Sequence, residues 1–191
     1  MEGIEPLDNN DRQYDPRTIA LHWIIAGLII FQWLGAHAID WFPKGPWRID
    51  ARSIHIIVGL TLAILLIARI QWRLTRGHRL PPAHAGALQF LAKSMHLGLY
   101  ATIASIVTLG IFTTWIRGDS LFNIANIPHF GSYTPDARHQ FAEYVVGWHV
   151  FMANLILILA AGHILSAIMQ SWMNHNRPVL ERMGLRLGRK S

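Results

Sequence analysis

Four stretches of this chain contain no charged side chain at all: Thr18 to Ile39, Ser53 to Ala68, Ser94 to Ile116 and Tyr144 to Asn176. In lipid a backbone must satisfy its own hydrogen bonds, so such stretches are read as helices, and crossing a bilayer takes roughly 20 mostly apolar residues. Three of the stretches meet that length outright. The second is short, and Arg69 is expected to snorkel toward the interface so that its helix continues to Trp72. Composition agrees, because 15% charged residues is well below the roughly one quarter typical of soluble domains. The expected fold is all-α: a single four-helix transmembrane bundle over residues 1–191, with spans at approximately 18–40, 52–73, 89–116 and 143–173.

Lysine and arginine orient this bundle. With the N-terminus inside, the inner segments carry twelve basic residues, and the outer segments carry five: Lys44, Arg48, Arg52, Arg117 and Arg138. The positive-inside rule then puts both termini in the cytoplasm. The first 17 residues include Glu2, Glu5, Asp8, Asp11 and Asp15 and lack the basic start of a cleaved signal, so the first span is expected to stay. The net charge of +6 becomes a topological signal. Because the basic residues flank spans and form no single basic face, nucleic acid is a poor partner. Asp40 to Arg52 reads as an outer hairpin turned by Pro43, Gly45 and Pro46, and Leu74 to Gly86 as an inner one broken at Pro81 and Pro82. The longest connection, Arg117 to Phe141, is expected to cap the outer end, and most tryptophans fall near span ends as an aromatic belt.

Eleven histidines remain to be explained. His78, His84 and His175 fall in inner segments and His129 and His139 in the outer loop, where a solvated ring is the ordinary reading; His37 reads as interfacial. A ring inside a span must find a partner. His149 and His163 stand fourteen residues apart on the fourth helix. Fourteen steps fall about 40° short of four full turns, so both rings lie on one face, roughly 21 Å apart. His22, near the inner end of the first span, matches His163 in depth; His55, near the outer start of the second, matches His149.

Two imidazole pairs stacked across a membrane suit haem, whose iron takes two axial ligands and whose macrocycle is apolar enough to sit between helices. Zinc would want three or four clustered ligands, and no carboxylate or cysteine lies near either pair. Without cysteine there is no C-x-x-C-H attachment, so any haem is held non-covalently. Gly27, Gly59, Gly147 and Gly162 stand near the four rings and would let a flat group approach the backbone. The plain alternative is that single histidines bond to neighbouring helices or line a proton path.

The motifs ALHW (Ala20 to Trp23), WFPKG (Trp41 to Gly45), SIHIIVGL (Ser53 to Leu60), MHLGLY (Met95 to Tyr100), GWH (Gly147 to His149), GH (Gly162 and His163) and VLERMG (Val179 to Gly184) occur in an order that resembles the bacterial cytochrome b561 family. That family comprises four-helix dihaem membrane proteins, and a wider group includes the b-type subunits of hydrogenases and formate dehydrogenases. The resemblance implies two haem b, one on His22 and His163 and the other on His55 and His149, in a multi-pass protein of the bacterial inner membrane. It also implies oxidoreductase activity: electron exchange with ubiquinone and, in a close subset, oxidation of superoxide at the outer face. Where some relatives carry a His-His pair after the last ligand, this chain has Met169 and Gln170.

Secondary expectations attach to other residues. Arg52, three residues before His55, and Arg17 are candidates to pair with the propionates of the outer and inner haem. His96 and Lys93, at the inner end of the third span, are candidates for quinone binding or proton relay, and Lys44, Arg48 and Arg52 for steering an anion. Against steering, the outer segments balance five basic residues with five acidic ones. Two other functions stay open at this point: a b-type anchor serving a separate periplasmic redox protein, and a histidine-using metal or proton transporter without haem.

Overall fold

The computed structural model of the chain describes residues 13–78, 80–81, 86–173 and 179–185. Four helices dominate: α1 (Pro16–Ile39), α2 (Pro46–Thr75), α3 (Gly86–Arg117) and α4 (Pro135–Met173). All four are long and apolar enough to cross a membrane. Consecutive helices pack side by side, α1 on α2, α2 on α3 and α3 on α4. The start of α1, the end of α2, the start of α3 and the end of α4 therefore gather at one end of the bundle, called here the terminal end. The α1–α2 and α3–α4 connections form the other, the cap end.

Three helices extend well beyond the apolar stretches that announced them. α2 begins at Pro46, where the sequence suggested a hairpin as far as Arg52. Proline at the first helical position loses no hydrogen bond and already has a helical φ, so Arg48, Asp50 and Arg52 become an interfacial turn of the helix. α3 starts at Gly86, ahead of the expected residue 89. α4 likewise starts at Pro135, eight residues before the expected 143. The expectations for His84 and His175, and for Arg12 and the rest of the first 12 residues, lie outside the described residues.

The core is thin, as befits helices that turn most of their apolar surface to lipid. Ile25, Leu62, Leu66, Ile103 and Ile156 form its centre, with one or more residues from each helix. A second cluster, Ile116, Ala142 and Val145, joins α3 to α4 near the cap. There the long connection folds into a small antiparallel hairpin, β1 (Ser120–Leu121) with β2 (Ala125–Asn126), Ser120 facing Asn126. It is pinned to α2 by Ser53. That fully buried hydroxyl donates to the Ile49 carbonyl (2.7 Å) and accepts from the Phe122 amide (2.9 Å). Gly118 has φ +63°, and a β-carbon there would run into the His129 ring, which packs over it.

Asp15 organises the terminal end. Its carboxylate caps α1, accepting from the Thr18 amide (2.9 Å) and hydroxyl (2.6 Å). It also accepts from Trp72 Nε1 (3.0 Å) and the His78 amide (3.3 Å), tying the start of α1 to the end of α2. The short 3₁₀ turn Glu181–Met183 closes over the same region: Tyr14 donates to the Arg182 carbonyl (3.0 Å) and Trp23 Nε1 to that of Met183 (3.2 Å). Burial alone would raise the Asp15 pKa, but the bonds from Thr18, Trp72 and His78 outweigh it and hold the group at about 2. A depressed carboxyl stabilises the fold above its ordinary value of 3.8 and loses that contribution as pH falls toward 2. Asp15→Ala should therefore cost about 1 kcal/mol, the usual worth of an N-cap. Thermal melts in detergent should show the difference at pH 7 and a smaller one near pH 3.

Candidate functional site

The histidines that the sequence matched by depth do meet. His55 of α2 and His149 of α4 have ring centroids 6.2 Å apart, with planes inclined at 76°. Toward the terminal end, His22 of α1 and His163 of α4 have centroids 6.5 Å apart at 67°. With a metal–nitrogen bond of roughly 2.0 Å and about 1.1 Å from nitrogen to centroid, two trans imidazoles on one iron stand about 6 Å apart. Both pairs fit that separation. His96 of α3 also reaches His163, but at 5.2 Å, too close for the two to be trans ligands of one metal. Among the described residues no three His, Cys, Asp or Glu side chains converge to hold a bare metal ion, which leaves no cluster of the kind zinc requires.

The cap-end pair borders a cavity of about 330 Å³ lined from all four helices, by residues such as Ile29, Leu60, Val107 and Ala153. Its walls are mostly aliphatic, the surroundings an apolar macrocycle needs. His149 is oriented within it. A carbonyl can only accept, so the 2.9 Å contact between His149 Nδ1 and the Ile106 oxygen fixes the proton on Nδ1 and leaves Nε2 with its lone pair free for a metal. The ring rests against Gly110 of α3, where a β-carbon would lie 3.1 Å from its Cε1. His55 is held differently. Gln32 Nε2 donates to the His55 backbone carbonyl (2.9 Å), while Gln32 Oε1 and His55 Nδ1 are buried without a partner among the described residues. The aliphatic walls and the free Nε2 of His149 suit haem at the cap-end pair, and at the terminal-end pair the ring separation is what fits it.

The other candidates are distributed as follows. Arg52 makes an ion pair with Asp119 (3.2 Å) and Arg48 one with Asp40 (3.7 Å); Lys44 makes none among the described residues. Arg17 lies over the Trp72 ring, 4.7 Å from its centroid. Lys93 and His96 sit on the exposed side of α3, and His96 Nδ1 donates to the Ala92 carbonyl (2.7 Å). Met169 is exposed. His37 stacks on Trp33 (4.2 Å), whose Nε1 donates to Asn154 (3.1 Å). Of the four glycines singled out in the sequence, Gly27 and Gly147 have open space where a β-carbon would stand, Gly162 has Met95 at 3.8 Å and Gly59 has Gln32 at 3.0 Å.

One expectation is overturned. Arg69 does not snorkel: its Nε donates to the Tyr100 hydroxyl (2.9 Å) and its Nη1 is buried. Reaching sideways to α3 exchanges water for a phenol oxygen within the bundle. Arg69 and Gly110 were both missed as site residues. For Arg69 the signal was present, since it follows His55 by the same fourteen residues that separate His149 from His163.

A four-helix membrane bundle with paired inward imidazoles defines a class, the membrane b-type cytochromes. The chain matches the family described as prokaryotic cytochrome b561 over residues 13–185, and it belongs to that family. It is similar to the cytochrome b562 of Cereibacter sphaeroides, 24% identical over 89% of this chain and 94% of the relative. It is equally similar to the cytochrome b561 homolog 2 of Escherichia coli K12, 24% identical over 92% of this chain and 94% of the relative. Membership implies b-type haem and electron transfer in the membrane. A side chain at Gly110 would push His149 off Ile106, so Gly110→Val should lower the haem-to-protein ratio. Gly98→Val, on the same helix but with nothing within 4 Å, should leave it unchanged in a pyridine haemochrome assay.

Proposed function

We propose that this chain is a dihaem electron carrier of the bacterial inner membrane, linking a donor at the cap end to ubiquinone. His55 and His149 would hold one haem b, His22 and His163 the other. The observation that carries this reading is geometric: two imidazole pairs at bis-axial separation, with their α4 members fourteen residues, or roughly 21 Å, apart along one helix. When bound, haem b supplies a one-electron couple at each level. The chain supplies the rest. Ile106 sets the tautomer of His149, and mostly aliphatic walls give the cap-end cavity an apolar surround.

The basic residues concentrated around the terminal end support a cytoplasmic assignment for it, which makes the cap end periplasmic. Quinone reduction takes up protons as well as electrons, and the quinone arrives through lipid. His96 suits that end of the path, being on the exposed side of α3 and 5.2 Å from the His163 ring; Lys93 lies one turn before it. Replacing His22 or His163 by Ala should remove one haem, and replacing His55 or His149 the other, as resolved by low-temperature spectra of the α-band. Full haem content in any of the four variants would exclude that residue as a ligand.

The identity of the donor is a finer matter, and the resemblance points to superoxide. Charge steering gives that idea little support, because Arg48 and Arg52 are each engaged with an aspartate and a neutralised pair attracts a distant anion weakly. If superoxide is the donor, stopped-flow haem reduction should change little between low and high salt. A steep fall with salt would restore Lys44, Arg48 and Arg52 as a steering cluster.

A further inference from the structure

Arg69 is a cation set inside a membrane bundle with no counter-ion among the described residues. Six residues separate it from the end of α2 at Thr75, about 9 Å along the axis, and its guanidinium turns inward to Tyr100 of α3. Nη1 is buried with no partner among the described residues. The ion pairs among the described residues involve Arg48, Arg52 and Arg117, so no carboxylate among them is within pairing distance of Arg69. A buried guanidinium N–H is costly to leave unmade.

Its position says what would satisfy it. Arg69 follows His55 by fourteen residues, so it shares the His55 face of α2 but lies roughly 21 Å deeper, level with the other imidazole pair. Its guanidinium reaches Tyr100, which stands one helical turn beyond His96 on α3. Haem carries two propionates, and a planar guanidinium is the side chain best matched to a carboxylate. We propose that Arg69 is the carboxylate-binding residue of the terminal-end haem site, with Nη1 donating to a propionate and Tyr100 holding the guanidinium in position. This rests on the dihaem reading above.

Potentiometric titration tests it. Reduction adds negative charge to the haem, so a cation beside it favours the reduced form. Arg69→Leu should move one of the two haem waves to lower potential, by at least tenfold in the reduction equilibrium, which is 59 mV for one electron. The other wave should stay where it is. Arg69→Lys, which keeps the charge, should recover most of the shift. Tyr100→Phe should move the same wave by less. Should Arg69→Leu fail to assemble, Tyr100→Phe decides, and an unmoved wave there overturns the proposal. Equal movement of both waves in Arg69→Leu also overturns it, as does a raised quinone KM with both potentials unchanged, which would make Arg69 a quinone residue. Wild-type protein without haem would instead remove the reading on which the proposal rests.

Discussion

Lipid offers no hydrogen bonds, and this constraint governs every polar atom in the spans. Most are silenced locally. The hydroxyls of Thr61, Thr102, Ser105, Thr113 and Thr114 each donate to the carbonyl one turn back on their own helix, the usual refuge of a hydroxyl in a helix. The rings of His37 and His96 do the same through Nδ1, but the other imidazoles of the spans, the Arg69 guanidinium and the Gln32 carboxamide do not. They turn toward other helices, and the residues that do so, His22, His55, His149, His163, Arg69 and Gln32, mark the interior. Site and fold thus follow from one requirement: whatever polarity is not absorbed by its own helix must be absorbed between helices.

The two levels of the bundle absorb it differently. At the cap end the donors are spread around an aliphatic cavity, with the His149 ring bonded to a backbone carbonyl and lying against a glycine. Near the terminal end three rings and a guanidinium crowd together, His96 and His163 edge to face. One level is a largely aliphatic socket. The other carries formal charge and a ring open to the lipid side, the features expected where electrons and protons must be handled together.

Most of this was legible before any coordinates. The four charge-free stretches mark the helices, the 3.6-residue period puts His149 and His163 on one face, and depth in the spans matches His22 with His163 and His55 with His149. What stayed hidden depended on direction or on close approach. Arg69 sits where a lysine-like snorkel is the usual outcome, and only the arrival of Tyr100 from α3 turns it inward. Gly110 is invisible in one dimension, because its use is to receive a ring from another helix. The early start of α2 was masked by Arg48, Asp50 and Arg52, whose charges resemble a loop when the interface that accommodates them is not yet known. The pairing of Arg52 with Asp119 was out of reach for the same reason, since the two are 67 residues apart.

Both imidazole pairs draw one member from α4: His149 answers to α2, His163 to α1. This has a consequence for how the protein is made. A ribosome delivers α1 and α2 to the membrane long before α4, and through that interval His22 and His55 have no opposite number at either level. Neither pair exists in a nascent chain that has not yet released α4, so partial chains cannot be primed at one level while the other waits. Both levels of the bundle therefore wait on the last helix, and a product truncated before α4 keeps neither imidazole pair.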